Sequence, residues 1–252
     1  MSISDIFSRE NGPILGLYVV VPDPTVIEIA AAAGYDFVRL DMEHHTFSYD
    51  KLGDMLRIAR LCGLRAEVRI SDMTDITKVL NMGANGIVCP NVDTVETAKE
   101  VVKYTKYAPV GSRGMYSIMP ENRFGCDSFL PYLDTANNRT TVTLQIESLS
   151  GIEQLDKILA LEGVDMIATG RGDLSQSMGI PGRNMDPRVL EKEDDIVRRT
   201  LKAGKTPAIL VPNKDRAVHL WEMGVRIMLV GHDLDILAKA LDSRNREYRS
   251  WF

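Results

Sequence analysis

Eight short apolar runs, spread along the whole chain, limit the folds open to this sequence more than any other feature. They read "ILGLYVVV" (14–21), "FVRL" (37–40), "RAEVRI" (65–70), "GIVCP" (86–90), "TVTLQIE" (141–147), "VDMIATG" (164–170), "TPAILV" (206–211) and "VRIMLVG" (225–231). Each is strand length and bounded by turn residues. Between them lie amphipathic stretches of helical period, such as "YDKLGDMLRIARLCG", "TVETAKEVVKYTK", "KEDDIVRRTLKAG" and "DLDILAKALDSRNREY". Several of these end in glycine, the residue favoured just past a helix C-terminus. A strand followed by a helix, eight times over, predicts a closed (β/α)₈ TIM barrel rather than an open doubly wound sheet. No GxGxxG follows the first run, which argues against a dinucleotide-binding fold. The 252 residues suit one such barrel, and no linker or composition shift divides them, so a single domain over 1–252 is expected.

Composition narrows the function. A net charge of -5, with no basic run or basic-aromatic stripe, speaks against nucleic acid as partner. Cys62, Cys89 and Cys126 are scattered and form no CxxC pair, so they read as reduced cytosolic thiols rather than disulfides or zinc ligands. The opening "MSISDIFSRE" is too polar for a signal peptide, and no apolar run approaches membrane-spanning length. A cytoplasmic protein with no membrane partner is the expectation.

In a barrel of this kind the chemistry sits at the C-terminal ends of the strands. Reactive side chains collect there. Asp41, Glu43 and His44 follow the second run, Arg69 closes the third, Gln145 and Glu147 close the fifth, and Asp173 follows the sixth in "TGRGDLS". Gln145 and Glu147 stand two apart and so share one face of their strand. A carboxylate at the end of a buried strand is costly unless paired or bound to a metal. Two readings of Glu147 follow. With Asp173 it supplies two hard oxygen ligands for Mg²⁺ or Mn²⁺; alternatively it pairs with Arg69 as a buried ion bridge. On the first reading a 2-oxo acid chelates the metal, and an enolate forms whose charge the metal absorbs. Arg69 adds positive charge beside that oxygen, Gly170 and Gly172 open the backbone to a substrate carboxylate, and His44 moves the proton.

The segments "FVRLDMEHHTFS", "GANGIVCPNVDTVETAKEVV", "KYAPVGSRG", "LQIES" and "GRGDLSQSMGIPG" together resemble the metal-dependent pyruvate aldolases of the HpcH/HpaI family, in the family's order from about residue 12 to about 240. That family includes 4-hydroxy-2-oxoheptanedioate aldolase and 2-dehydro-3-deoxyglucarate aldolase, and the resemblance implies a TIM barrel of the phosphoenolpyruvate/pyruvate type. The resemblance implies Glu147 and Asp173 as ligands of Mg²⁺, Mn²⁺ or Co²⁺, Arg69 on the keto oxygen, Gln145 beside the substrate, and His44 as catalytic histidine with His45 turned elsewhere. It also implies carboxylate-binding amides at Gly172 and Asp173, an aldehyde pocket shaped by Tyr18 and Leu210, and a homohexamer whose C-terminal helices pack on neighbouring subunits, a role that the apolar tail "SWF" suits.

Two departures stand out. Where the family has "GPxDLS" this chain has "GRGDLS", so that Arg171 either meets a second acidic group or points to solvent. Where the family has an aspartate partnering the catalytic histidine, this chain has Asn81, which can orient His44 by hydrogen bonding but brings no charge. His219 is read as structural or surface, and His232, in "GHD" after the last run, as outside the chemistry. The expected activity is reversible aldol cleavage of a 4-hydroxy-2-oxo acid to pyruvate and an aldehyde. Decarboxylation or another carbon–carbon cleavage through the same enolate is the alternative, and Asn81 leans toward it. A metabolite-binding barrel without activity is the least favoured reading.

Overall fold

All eight apolar runs are strands in the computed structural model, which describes residues 12–252. The opening decapeptide therefore lies outside the described residues. In chain order the elements are β1 (Ile14–Val19), α1 (Pro24–Ala32), β2 (Phe37–Asp41), α2 (Tyr49–Leu61), β3 (Arg65–Arg69), α3 (Asp75–Asn81), β4 (Gly86–Cys89) and α4 (Val95–Thr105). A 3₁₀ turn (Pro120–Gly125) and α5 (Leu130–Arg139) precede β5 (Thr141–Ile146) and α6 (Leu149–Leu159). Then come β6 (Met166–Thr169), α7 (Arg171–Ser177), α8 (Pro187–Lys202), β7 (Thr206–Leu210), α9 (Lys214–Met223), β8 (Ile227–His232) and α10 (Asp233–Arg249). Each strand pairs in parallel with the next, and β8 closes on β1. The barrel predicted from the alternation is the barrel found.

Alternation along the strands divides two interiors. Val38 and Leu40 of β2, Ala66 and Val68 of β3, and Val142, Leu144 and Ile146 of β5 point outward into the layer under the helices, which they share with Ile76, Ile152 and Leu155. Burying each large aliphatic side chain there contributes about 1.5–3 kcal/mol. The alternate residues point into the barrel, where polar groups are stacked from bottom to top. Midway, Arg39 donates from Nη2 to Glu67 Oε2 at 2.8 Å, and the Thr141 hydroxyl donates to Glu67 Oε1 at 2.9 Å. Removing one member of such a buried pair costs about 3–5 kcal/mol, because it leaves the other charge unpaired. At the bottom Ile14, Phe37, Met166 and Ile227 seal the barrel. The interior charges face upward from this seal, so the open end is the polar end.

Among the described residues no helix is long and apolar enough to cross a membrane. The helix α10 has no buried residue and leaves Leu234, Ile236, Leu237 and Leu241 at the surface.

Candidate active site

Glu147 is the first residue beyond β5, directly before Ser148, whose hydroxyl caps α6 by accepting from the Gly151 amide at 2.9 Å. The strand thus ends where the helix is nucleated, and Glu147 is fixed at the rim. Its two oxygens are held separately. Oε1 accepts from the Asn91 amide at 2.7 Å, and Oε2 accepts from Gln145 Nε2 at 2.6 Å. Asn91 reaches it from a left-handed backbone conformation, φ 53°, which asparagine tolerates better than most residues. Gly170 lies against the carboxylate: a Cβ there would come within 1.9 Å of Glu147 Oε2, so the close approach requires glycine. Asp173 stands in the first turn of α7, which starts at that glycine. Burial pushes the Glu147 carboxyl up to about 7, against the pull of its two hydrogen bonds, and the charges of Asp173 and Glu43 add to the rise.

The opposite wall is built from β2 and β3. Arg69 donates from Nε to Asp41 Oδ1 at 2.9 Å and from Nη2 to Asp41 Oδ2 at 2.7 Å, a two-pronged pair, while Nη1 lies 3.0 Å from Glu43 Oε2. Adjacent strands in register produce this pairing, since Asp41 and Arg69 are partners in the β2–β3 ladder. Burial alone would raise the Asp41 carboxyl, but the Arg69 fork and the Glu43 and His44 amides hold it below the ordinary range. Glu43 goes the other way, raised by burial against the pull of Arg69 and His44. Of the two readings of Glu147, the ion bridge to Arg69 is not formed: the arginine's charge is committed to Asp41 and Glu43. Asn91 joins the walls, its side-chain amide donating to Glu43 Oε1 at 3.1 Å.

Between the walls is a cavity of about 250 Å³. Its lining brings together His44, Arg69, Gln145, Glu147, Gly172, Asp173, Tyr18 and Leu210. His44 is partly exposed there, its Nε2 3.7 Å from Glu43 Oε2. His45 does not line the cavity; its Nδ1 sits 3.6 Å from Asp41 Oδ2. The Tyr18 ring lies under the Arg69 guanidinium, 5.2 Å from its centroid, and its hydroxyl accepts from Arg39.

Asn81 requires a correction. It is the last residue of α3, its Oδ1 accepts from Arg113 Nη2 at 3.0 Å, and it lines an outer depression with Gly53, Arg57 and Ile118. Within the chain it is not brought to His44, because α3 begins at the mouth end of β3 and carries its last residue away from it. Asn81 therefore gives no orientation to that ring within the chain.

His232 also departs from expectation. It lines the cavity and stacks on Tyr18, with ring centroids 4.9 Å apart. Burial and the Arg69 charge lower its pKa. The signal was present, since His232 closes the last strand and strand ends are where the site forms. Thr169, Asn184 and Arg171 likewise line the cavity. His219 lies outside it, 2.8 Å from Asp194.

A closed eight-stranded barrel with carboxylates and an arginine gathered at its mouth defines a class: barrel enzymes whose chemistry sits at the C-terminal ends of the strands. More particularly, the chain belongs to the HpcH/HpaI aldolase/citrate lyase family, whose model matches residues 15–240. It is an aldolase-class carbon–carbon lyase. A hydroxypyruvate/pyruvate aldolase of Deinococcus radiodurans is 34% identical over 90% of this chain and 83% of its own length. A 2-keto-3-deoxy-L-rhamnonate aldolase of Salmonella gallinarum is 32% identical over 96% of this chain and 91% of its own. Among solved structures, the citrate synthase SbnG superposes with a TM-score of 0.90 at 31% identity, covering 99% of this chain and 98% of that one. Class II aldolases of this family generally use a divalent metal.

Proposed function

We propose that the protein catalyses reversible aldol cleavage of a 4-hydroxy-2-oxo acid to pyruvate and an aldehyde, with Mg²⁺, Mn²⁺ or Co²⁺ held by Glu147 and Asp173. The observation that carries this reading is the unmatched negative charge of the Glu147–Asp173 wall. Among the described residues no arginine or lysine pairs with Glu147, and burial pushes its carboxyl up to about 7. Two hard oxygen donors with excess negative charge fit a divalent cation that keeps further positions for water and substrate. Among the described residues no group of three or more His, Cys, Asp or Glu side chains converges on one point, which suits such an open site better than a closed tetrahedral one. When bound, the cation supplies Lewis-acid stabilisation of the enolate.

The chain's own groups supply the rest. Arg69, already charged and fixed by Asp41, lies beside the keto oxygen and stabilises the charge that develops there without reorganising. Gln145 stays on Glu147 and orients it. The first-turn amides of α7 at Gly172 and Asp173, which have no intrahelical acceptor, receive the substrate carboxylate. His44 takes the proton from the 4-hydroxyl as the bond breaks, at the water-facing side of the cavity. Tyr18 and Leu210 bound the aldehyde end.

The same reading extends to assembly and location. The unburied α10 and the exposed Trp251 and Phe252 support a homo-oligomer, a hexamer, in which C-terminal helices pack on neighbouring subunits. The free thiols of Cys62, Cys89 and Cys126 support a cytoplasmic enzyme.

Pyruvate release from a panel of 4-hydroxy-2-oxo acids, with and without chelator, tests the proposal. Turnover is expected to vanish in chelator and return with added Mg²⁺, Mn²⁺ or Co²⁺. Undiminished turnover in excess chelator overturns the metal assignment, and 2-oxo acid decarboxylation without aldehyde formation overturns the reaction.

A further inference from the structure

The wall formed by α7, β7 and β8 carries a cation that the chemistry above leaves idle. Arg171 opens α7, and its side chain is only 10% exposed. It turns toward β7, where Nη1 donates to the Leu210 carbonyl at 2.9 Å and to both oxygens of Glu193 at 3.1 and 3.2 Å. Glu193 is fully buried and shared. It accepts from the Thr169 hydroxyl at 2.6 Å and from Arg216 Nη2 at 2.6 Å and Nε at 3.0 Å. Arg216 thus holds the shorter contacts, and Arg171 the longer ones through a single nitrogen.

The remaining Arg171 groups are unmatched. Nε is buried without a partner, and Nη2 makes no hydrogen bond among the described residues. A desolvated donor without an acceptor is costly, and Nε is such a donor. Arg171 borders the same cavity as Leu210, Asn184 and His232. A nine-tenths buried guanidinium at a substrate cavity, with its own counter-ion shared, is suited to a planar anion that accepts two parallel hydrogen bonds.

We infer that Arg171 determines specificity at the aldehyde end, selecting an acceptor that carries a carboxylate at its far end over a neutral one. The inference rests on the reading of this cavity as a pyruvate–aldehyde site. The alternative role is a brace: Arg171 spans β6 to β7, where the ladder has only two register pairs, Met166 with Thr206 and Ile167 with Pro207.

Two substrates of one carbon skeleton separate these roles, 4-hydroxy-2-oxoheptane-1,7-dioate and 4-hydroxy-2-oxoheptanoate. Their kcat/KM values are compared in the metal-loaded wild type, Arg171→Met and Arg171→Lys. The wild type is expected to prefer the dioate by about 10- to 100-fold, the effect of one charge-assisted contact. Arg171→Met should bring that ratio close to one, mainly by raising KM for the dioate, and Arg171→Lys should retain part of it. A ratio unchanged in Arg171→Met, an equal loss on both substrates, or a wild type that prefers the monoacid overturns the inference. Cleavage of both substrates with an unchanged ratio sinks this inference alone. No pyruvate from either sinks the aldolase reading and this one with it.

Discussion

The two walls of the mouth hold carboxylates of similar burial and opposite behaviour. On the β2–β3 wall Asp41 is 1% exposed and sits below its ordinary pKa, because the Arg69 fork answers its charge. On the β5–β6 wall Glu147 is 2% exposed and rises to about 7: burial raises it, the two neutral donors that reach it offset only part of that, and its charged neighbours are acids that add to the rise. Burial is common to both, so burial does not distinguish a structural carboxylate from one proposed to hold a cation. The partner does. The first wall is complete as it folds and holds a fixed positive charge; the second carries acids that no arginine or lysine of the described residues answers.

The largest effect should come from removing charge on the incomplete wall. Glu147→Gln and Asp173→Asn keep shape but halve its negative charge; in the first, one acceptor oxygen becomes a donor, which Gln145 meets by turning its own amide. Loss of Lewis-acid stabilisation is worth several kcal/mol, so turnover should fall about 10³-fold or more in each. Calorimetric titration with Mn²⁺ should show affinity falling in parallel, while the thermal midpoint holds or rises for Glu147→Gln, since a buried unpaired acid is removed. Metal affinity equal to wild type in both variants breaks the proposed division between the walls.

On the complete wall, Arg69→Ala should lower kcat by about 10²-fold, as for loss of a donor to a developing oxyanion. It should also destabilise the fold by about 3–5 kcal/mol, since Asp41 is left charged and buried. Denaturant unfolding beside steady-state kinetics separates the two effects. Stability loss with near-normal kcat in the folded fraction would make Arg69 a scaffold only.

How much of this was legible depended on whether a signal was local. The strands and the rim positions of Arg69, Gln145, Glu147 and Asp173 follow from period-two alternation and strand ends, which a sequence displays directly. The partners do not. Arg69 faces Asp41, 28 residues away, rather than Glu147, and the β2–β3 register decides this, not either residue alone. Asn81 lies apart from His44 within the chain for the same reason: similarity to a motif says nothing about which end of α3 carries the residue. His232 was undervalued although the strand-end rule applied to it as to the others. The Glu193–Arg171–Arg216 network joins three helices and was invisible, because nothing in a helical pattern marks a buried glutamate as shared.

A smaller effect should appear in the acid stability of the complete wall. Because the Asp41 carboxyl is held below the ordinary value of 3.8, its ionised form stabilises the fold above that value. That contribution fades as pH falls below it and is gone once pH passes under the folded pKa. Asp41→Asn should cost about 2–4 kcal/mol at neutral pH, as the charge pair becomes a neutral contact. Its midpoint should also drop less than the wild type's between pH 5 and pH 3. Parallel melting curves against pH would show that another group dominates that window.

The smallest effect tests a group that senses both walls. Cys89 closes β4, between them, and its thiol is pushed up to about 12, first by burial and then by the charges of Glu43 and Glu147, one from each wall. Thiolate, not thiol, is the form that alkylates, and at pH 8 almost none is present at such a value. Cys62 and Cys126 are exposed. Mass spectrometry of the native protein after brief iodoacetamide treatment at pH 8 should therefore show labels on those two and none on Cys89. Because burial is the leading cause, Glu147→Gln should speed Cys89 labelling only modestly. A large acceleration would mean that the unmatched wall, rather than enclosure, sets the potential at β4, and that the charge left open there is greater than its geometry implies.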